Sequence, residues 1–438
     1  QRSTLIIGHC IMGKGCRKAD NTSYERNCKT HGAPLGGDAY VNTIKNLGGD
    51  VENPFVIRPE VAEMYARREQ ELKEIVAARK AEEKAWAAAN PEKAQKLEDW
   101  FANKLPQIPW ETIQQKNDSP TRNGSAACLA LLSEYVENMI VSSADLCNSD
   151  KTDGFLAHSK EIVKNDFSGG FLQAGVAELT MACVCIGMAL HGGIITAMGT
   201  FFVFSDYMKP AIRMAALMEI PVKFVWTHDA FRVGEDGPTH EPVEHEAQIR
   251  LMEKLKNHSG KDSVRVFRPA DVHAVTECWK MAMENFDTPT ALIFSRQVVK
   301  DLPEGTDYKQ ACKGAYIVEG DENPEVVLIA SGSEVSTLVE ARKLLSAQQI
   351  KSRIVSCPSE GLFRTQSQEY QEMVLPKGIK RFALTAGLPC VFESLAGADG
   401  YVYGLESFGY SAPYKVLDEK LGFTPENIYN EIVKFINR

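Results

Sequence analysis

Short apolar segments alternate with helical segments between residues 118 and about 300, and this alternation constrains the fold more than any other feature. Strands are predicted at 139–143, 194–198, 222–227 and 290–295. Helices are predicted at 125–135, 176–190, 211–218 and 274–285. Strands that are apolar throughout and alternate with helices are typical of a parallel sheet that helices cover on both faces. The sequence therefore predicts an α/β fold.

The rest of the chain divides around this central segment. Its 438 residues predict about three domains. Residues 59–105 consist mostly of strong helix formers with both charge signs interleaved, and Pro91 divides them into two exposed helices. After residue 302 the strand and helix pattern returns. We predict an N-terminal α/β segment at 1–58 with a strand at 4–10, a helical connector at 59–117, and two α/β domains at 118–303 and 304–438.

Composition excludes several classes of protein. Hydrophobic residues make up 44% and charged residues 24%, which is a globular balance. The net charge of -9 argues against a protein that binds nucleic acid non-specifically. The 11 cysteines include no CxxC pair, so we expect reduced, mostly buried thiols and a cytoplasmic protein.

One segment has the length of a membrane span. Residues 179–205 contain no Asp, Glu, Lys or Arg. However, His191-Gly192-Gly193 interrupts the segment in its middle. We therefore predict a buried helix, a glycine turn and a buried strand, and no membrane partner.

Polar residues are densest just after the strand at 222–227. Residues 226–245 hold three histidines and five acids, spaced by Gly and Pro: His228, His240, His245, Asp229, Glu235, Asp236, Glu241 and Glu244. Ligands of parallel sheets bind at the carboxyl ends of strands. Imidazoles there favour proton transfer and hydroxyl recognition near neutral pH. A metal site is the alternative, although no HxH or HxxxH pair is present.

Three further features each have a functional and a structural interpretation. Glu178 begins an apolar helix, where it is either a partly neutral buried carboxyl or a charge that complements the helix dipole. The aromatic residues at 200–207 could clamp a flat heterocycle or belong to the core. Arg122 and Arg296 could bind phosphate or lie on the surface.

Several motifs together resemble the transketolase family, in the same order and with fitting spacing. They are HGAPLG at 31–36, SADL at 143–146, THD at 227–229, GEDGPTHEPVE at 234–244, SRQ at 295–297, IASGSEV at 329–335 and ESFGYSAP at 406–413. The resemblance covers essentially the whole chain. It implies a pyrimidine-side parallel-sheet domain, a C-terminal transketolase domain, a helical connector and a remnant of the N-terminal diphosphate-binding domain.

The resemblance also implies an activity. Members of the family transfer a two-carbon ketol unit from a ketose phosphate to an aldose phosphate. They use thiamine diphosphate and Mg²⁺, and they are homodimers. The implied catalytic residues are Glu178, His240 and His31. The implied cofactor-binding residues are Asp145, Phe201, Phe204 and Tyr207. The implied substrate-binding residues are Arg122, Ser149, His228, Asp236 and Arg296.

One part of the family pattern is absent from the sequence. The metal motif Gly-Asp-Gly with a downstream Asn does not occur in the first domain. No metal ligand is therefore assigned, and residue 1 is Gln rather than Met. We expect a truncated chain that lacks most of the diphosphate-binding domain with its magnesium ligands, and that cannot build a whole site by itself. The alternatives are a non-catalytic or split-subunit partner, or a related deoxyxylulose-phosphate or dihydroxyacetone synthase.

Overall fold

The computed structural model describes residues 5–438. Two compact units are present, divided between Lys93 and Ala94. The first contains helices α1 (Gly37–Asn46) and α2 (Pro59–Ala89), and α3 (Pro91–Phe101) begins at its end. The division of the 59–105 segment at Pro91 is confirmed.

Helix α2 has no buried residue along its 31 residues. Its stability comes from strong helix formers and from ion pairs one turn apart, such as Arg68–Glu71 at 2.8 Å and Lys73–Glu69 at 2.6 Å. The predicted strand at 4–10 is wrong over residues 5–10, which are exposed and pair with no strand among the described residues. Residue 4 lies outside the described residues.

The second unit begins with a six-stranded sheet in the order β2-β1-β3-β4-β6-β5, and all its pairs are parallel. Its strands are β1 (Met139–Ser143), β2 (Phe171–Gln173), β3 (Ile195–Phe201), β4 (Lys223–Thr227), β5 (Arg265–Phe267) and β6 (Thr290–Phe294). Its helices are α4 (Thr121–Tyr135), α5 (Cys147–Asp150), α6 (Glu178–His191), α7 (Ser205–Leu217), α8 (His245–Lys254) and α9 (Val272–Glu284). The predicted parallel sheet is confirmed.

Both faces of this sheet are covered, because successive side chains of a strand point to opposite sides. In β4, Phe224 and Trp226 pack into one apolar cluster, and Val225 packs into another on the opposite face. Because all six strands run in the same direction, their carboxyl ends lie at one edge of the sheet.

A five-stranded sheet follows, in the order β11-β10-β8-β9-β7. Its strands are β7 (Tyr316–Gly320), β8 (Val326–Ala330), β9 (Ser352–Ser356), β10 (Lys380–Leu384) and β11 (Tyr401–Tyr403). Its helices are α10 (Glu334–Ala347), α11 (Glu360–Arg364), α12 (Gln368–Val374), α13 (Glu393–Ala396), α14 (Tyr414–Leu421) and α15 (Pro425–Ile436). Strand β7 runs antiparallel to β9, and the other pairs are parallel.

The uncharged segment at 179–205 folds as helix, turn and strand, as predicted. Gly192 and Gly193 adopt positive φ angles of 87° and 74°. None of the helices between residues 5 and 438 is long and apolar enough to cross a membrane. The helix is buried on one side only, because Met181 lies in the core whereas Val184 and Leu190 are exposed. The predicted buried helix is therefore buried on one side only.

The prediction of mostly buried thiols is also wrong. All the cysteines are free, and only four of them are buried: Cys128, Cys185, Cys278 and Cys357. The exposed ones lie in a loop (Cys10), in short 3-10 turns (Cys28, Cys312 and Cys390) or on the exposed side of a helix (Cys183). An apolar flanking sequence therefore did not distinguish the two sides of a half-buried helix.

Candidate active site

Two neighbouring strands of the six-stranded sheet end beside one another, and the candidate site lies at their carboxyl ends. Strand β3 ends at Phe201, which pairs with Thr227 at the end of β4. A short turn at Phe202–Phe204 follows β3, and the histidine-rich loop follows β4. Parallel strands place such loops on the same edge of a sheet, which is where ligands bind.

Aromatic rings from the first loop meet imidazoles from the second. Phe201 and Phe204 are nearly parallel, with ring centroids 5.9 Å apart and planes at 14°. The Phe201 centroid lies 3.9 Å from that of His228, and the Phe204 centroid lies 5.5 Å from that of His240. Tyr207 extends the cluster at 6.1 Å from Phe204. The structure thus brings together five residues that the sequence analysis singled out.

This cluster is distinct from the core. The core aromatic of the segment is Phe202, which is fully buried and stacks on Trp226 at 5.4 Å. Phe201 and Phe204 are only half-buried, and Tyr207 is exposed. Partly exposed rings at a strand end can hold a flat heterocycle, which is the functional alternative for residues 200–207.

Glu178 is connected to the aromatic cluster through its neighbour on β3. It is the first residue of α6 and is buried. The Oγ1 of Thr200, which directly precedes Phe201, donates a hydrogen bond of 3.3 Å to Glu178 Oε1. A buried carboxyl beside an aromatic wall can bind a donor on a heterocyclic ring. Its position at the helix N-terminus is equally consistent with the dipole interpretation.

His228 has unusual surroundings. It is 2% exposed, and its φ of 65° lies in the left-handed region. Burial first, and then the positive charges of Arg122 and Arg296, lower the pKa of His228 to about 2. The imidazole is therefore neutral at physiological pH and can act as a hydrogen-bond donor or acceptor. The environment of His228 thus differs from the expectation of an imidazole that titrates near neutral pH, because burial disfavours the charged form.

Arg122 and Arg296 both lie near His228, since the positive charges of both act on its imidazole. Arg122 Nη1 donates to the backbone oxygen of Ser149 at 2.7 Å, and its buried Nε has no partner within residues 5–438. Arg296 donates to the backbone oxygen of Val233 and approaches Glu235 at 3.8 Å. Burial, and then the charge of Arg296, lower the pKa of Arg122. Two cations that repel each other, beside a neutral imidazole, form an environment that favours an anion.

The sequence analysis missed a buried acid beside Ser149. Asp150 is fully buried and accepts hydrogen bonds from Ser143 Oγ at 2.7 Å and from the backbone N and Oγ1 of Thr152 at 2.8 and 2.6 Å. Burial raises the pKa of Asp150 to about 6. A Cβ at Gly199 of β3 would come within 2.6 Å of Asp150 Oδ2, so the strand requires glycine there. The adjacent Ser and Thr hydroxyls were the only sequence signal.

Two predicted site residues of the second unit are not linked to the cluster by hydrogen bonds or ring contacts, and a third belongs to the first unit. Asp145 and Asp236 are exposed and make no side-chain hydrogen bond among the described residues. His31 is exposed in the first unit, at the end of a short turn of helix at Cys28–Thr30. Their roles stay predictions.

Other members of the histidine-rich loop are dispersed. His245 is buried in α8, with Nε2 3.1 Å from Asp206 Oδ1. Glu241 is buried with no hydrogen-bond partner within residues 5–438, and burial raises its pKa to about 7. No group of three or more His, Cys, Asp or Glu side chains in that range is placed to hold a metal ion.

Three family models match the chain. They are "Transketolase, thiamine diphosphate binding domain" over residues 1–106, "Transketolase, pyrimidine binding domain" over 118–301 and "Transketolase-like TK C-terminal domain" over 314–424. The diphosphate-domain match extends past residue 58 through α2 and α3. The expectation that the chain keeps only a remnant of this domain is therefore not supported. The boundaries predicted at 58, 117 and 303 stay predictions.

Curated relatives match almost the entire chain. A probable transketolase of Streptococcus pneumoniae is 38% identical, and the match covers 98% of this chain and 63% of that protein. The transketolase of Bacillus subtilis is 36% identical, with 100% and 65% covered. The chain thus spans somewhat less than two thirds of the length of these relatives.

Solved structures have the same architecture. A transketolase from Leishmania mexicana is 32% identical, with a TM-score of 0.83 and coverage of 94% of this chain and 59% of that chain. A transketolase from Pichia stipitis in complex with sedoheptulose-7-phosphate is 30% identical, with a TM-score of 0.83 and coverage of 92% and 59%.

Proposed function

Since this chain belongs to the transketolase family, we propose that it takes part in transferring a two-carbon ketol unit from a ketose phosphate to an aldose phosphate. The observation that carries the proposal is the meeting of two half-buried phenylalanines with His228 and His240 at the carboxyl ends of β3 and β4. A loop with a purely structural role would not need imidazoles packed against partly exposed aromatic rings.

The residues present fit the pyrimidine part of thiamine diphosphate. Phe201 and Phe204 offer a flat apolar wall, and Glu178 offers a buried carboxyl one residue away from that wall through Thr200. When bound, the cofactor supplies an electron sink for breaking a carbon–carbon bond. Glu178 would accept a hydrogen bond from a nitrogen of the pyrimidine ring, and the phenylalanines would exclude water from the ring face.

The cationic side of the site fits the phosphate of a sugar. Arg122 has an unpartnered buried Nε, and its pKa is lowered by burial and by Arg296. A phosphate would satisfy that N–H and offset the repulsion between the two guanidinium groups. Neutral His228 adds a hydrogen bond without adding charge, and Ser149 lies beside Arg122. The Pichia stipitis relative is in complex with such a sugar phosphate.

The remaining roles follow the same proposal. His240, whose ring lies edge-on to that of Phe204 at 5.5 Å, would act at the reacting carbon. Asp236 in the adjacent loop would bind a substrate hydroxyl, and Asp145 and His31 would contact the cofactor. The described residues offer no set of magnesium ligands, so no step is assigned to Mg²⁺ here.

We include a homodimer in the proposal. Apolar side chains on one side of α6 and beside it are exposed, including Val176, Val184 and Leu190, and Tyr207 of the aromatic cluster is exposed as well. Several large apolar side chains exposed on and around one helix are typical of a protein–protein interface. Sedimentation equilibrium of the protein with and without thiamine diphosphate tests this point, and a monomer under both conditions would contradict it.

A ketol-transfer assay tests the proposed function. The protein is supplied with thiamine diphosphate and Mg²⁺, with xylulose 5-phosphate as donor and ribose 5-phosphate as acceptor. We expect formation of a seven-carbon sugar phosphate that requires the cofactor. Pyruvate and formaldehyde serve as control substrates, because turnover of these in place of the sugar phosphates would instead indicate one of the related synthases. Absence of transfer by the cofactor-loaded protein would refute the proposal.

A further inference from the structure

Buried ion pairs join the second sheet to the loop after β4. Glu334, the first residue of α10, is fully buried and contacts Arg268 Nη1. Arg268 Nη2 donates to Asp229 Oδ2 at 2.6 Å. Asp229 directly follows His228. A continuous path of three charged side chains therefore runs from the five-stranded sheet to the candidate phosphate-binding imidazole.

The end of this path is a strained residue. His228 has a φ of 65°, and a left-handed conformation is unfavourable for a side chain that is not glycine. Such strain persists only where the surroundings hold it. The Arg268 contact is the only side-chain hydrogen bond of Asp229 within residues 5–438, and Asp229 Oδ1 has no partner there. Arg268 thus holds the backbone directly beside the strained position.

Glu334 organises the arginines. Its Oε1 accepts from Arg232 Nη1 at 2.9 Å, and Arg232 lies in the same loop, four residues after His228. Burial opposes ionisation, but Arg268 and Arg232 together hold the pKa of Glu334 below its ordinary value. The carboxylate is therefore charged, and it offers one oxygen to each arginine. Without the Glu334 charge, Arg232 keeps only Asp418 as a carboxylate partner, and Arg268 keeps Asp229 and Glu246. We expect both arginines to shift toward these remaining carboxylates, because a buried charge that loses a partner is destabilised.

We propose that Glu334 is a positioning residue, which fixes the left-handed backbone of His228 through Arg268 and Asp229 and so holds the imidazole for the substrate phosphate. This inference rests on the proposed function for the role of His228. It gives the five-stranded sheet a part in substrate binding although none of the site residues lies on it.

Glu334→Gln tests the inference, with Glu360→Gln as the matched control. Glu360 is also a buried carboxyl at the start of a helix of the same unit. It accepts from Arg364 Nε at 2.7 Å and from Ser394 Oγ at 2.6 Å and approaches Lys254 at 3.4 Å, and none of these partners contacts Arg268 or Asp229 among the described residues. Both variants are prepared as cofactor-loaded protein. The first readout is the imidazole carbon–proton NMR signal of His228, assigned by its absence from the spectrum of His228→Asn.

We expect the His228 signal to move in Glu334→Gln and to stay in Glu360→Gln. We also expect the KM for ribose 5-phosphate to rise about tenfold in Glu334→Gln, since a small misplacement of a positioning group has effects of this size. The KM for unphosphorylated ribose should stay within about twofold, because that substrate has no group for His228 to bind. A general loss of structure would instead raise the KM for both substrates by a similar factor.

The inference would be overturned if the His228 signal moved in both variants or stayed in both. If Glu334→Gln does not fold, Arg268→Lys replaces it, since lysine keeps the charge but cannot join Asp229 and Glu334 with one planar fork; an unmoved His228 signal in that variant would also overturn it. If the wild-type protein transfers no ketol unit, the proposed function fails, while the NMR signal still decides whether Glu334 positions His228.

Discussion

The buried carboxyl of Asp150 allows a quantitative prediction. Its pKa is raised by burial from an ordinary value of 3.8 to about 6. Between these two pH values the folded protein keeps a proton that the unfolded chain has lost, so raising the pH favours unfolding. A shift of about two units corresponds to about 3 kcal/mol, which is the cost of the ionised Asp150 at pH 7.

The variant Asp150→Asn removes this cost. Its side-chain oxygen can still accept from the backbone N and hydroxyl of Thr152, and the Ser143 hydroxyl can rotate to accept from the new amide. We expect the variant to be more stable than the wild type at pH 7.5 by an amount on the order of 1–3 kcal/mol, and equal to it near pH 4. Chemical denaturation at both pH values measures the difference.

The control is Asp166→Asn. Asp166 is an exposed acid paired with Lys160 at 2.7 Å, and hydrogen bonds from Lys160 and Ser168 lower its pKa. Its replacement should therefore destabilise the protein as the pH rises, which is the opposite sign. The reasoning on Asp150 is refuted if Asp150→Asn is equally destabilised at both pH values, or if its stability depends on pH as that of the wild type does.

Three further variants test the account. Lys223 is fully buried, and burial lowers its pKa to about 7; stability should therefore rise between about pH 7 and pH 10.5, and Lys223→Met should remove that rise in denaturation midpoints. Thr200→Val removes the hydrogen bond to Glu178 and should lower kcat by roughly tenfold with little change in the KM for the donor, and an unchanged kcat would count against the role of Glu178. His228→Asn keeps a residue that tolerates positive φ, and we expect a several-fold higher KM for ribose 5-phosphate; an unchanged KM would remove His228 from the phosphate site.

Strand and helix periodicity was enough to predict the main architecture. Strand β4, with its apolar run Phe224-Val225-Trp226, and the break at Gly192-Gly193 were recognisable because burial on both faces and positive φ each leave a sequence signal. Three-residue strands such as β2 and β5 were missed, since a run so short has no periodicity. The first strand was predicted wrongly, because an apolar run does not show whether a partner strand is adjacent.

The residues that form the site could be predicted from the sequence by their type. How deeply they are buried and which charges lie beside them could not be predicted. The aromatic residues at 200–207 and the imidazoles after β4 were singled out by their positions at strand ends, and the resemblance to the family implied their roles. The neutral state of His228 could not be inferred, because it depends on burial and on two arginines distant in sequence. Asp150 and Glu334 were missed for the same reason, as their charges matter only through contacts that the fold creates.

The most direct test of the account is the affinity of the protein for thiamine diphosphate, measured by titration calorimetry in the presence of Mg²⁺. We predict saturable binding that Phe201→Ala weakens by about tenfold or more, because that ring forms part of the proposed wall for the cofactor. Phe363→Leu, a change at a buried core residue of the second sheet, should leave the affinity unchanged. Absence of binding by the wild-type protein, or equal affinity for Phe201→Ala and wild type, would contradict the account.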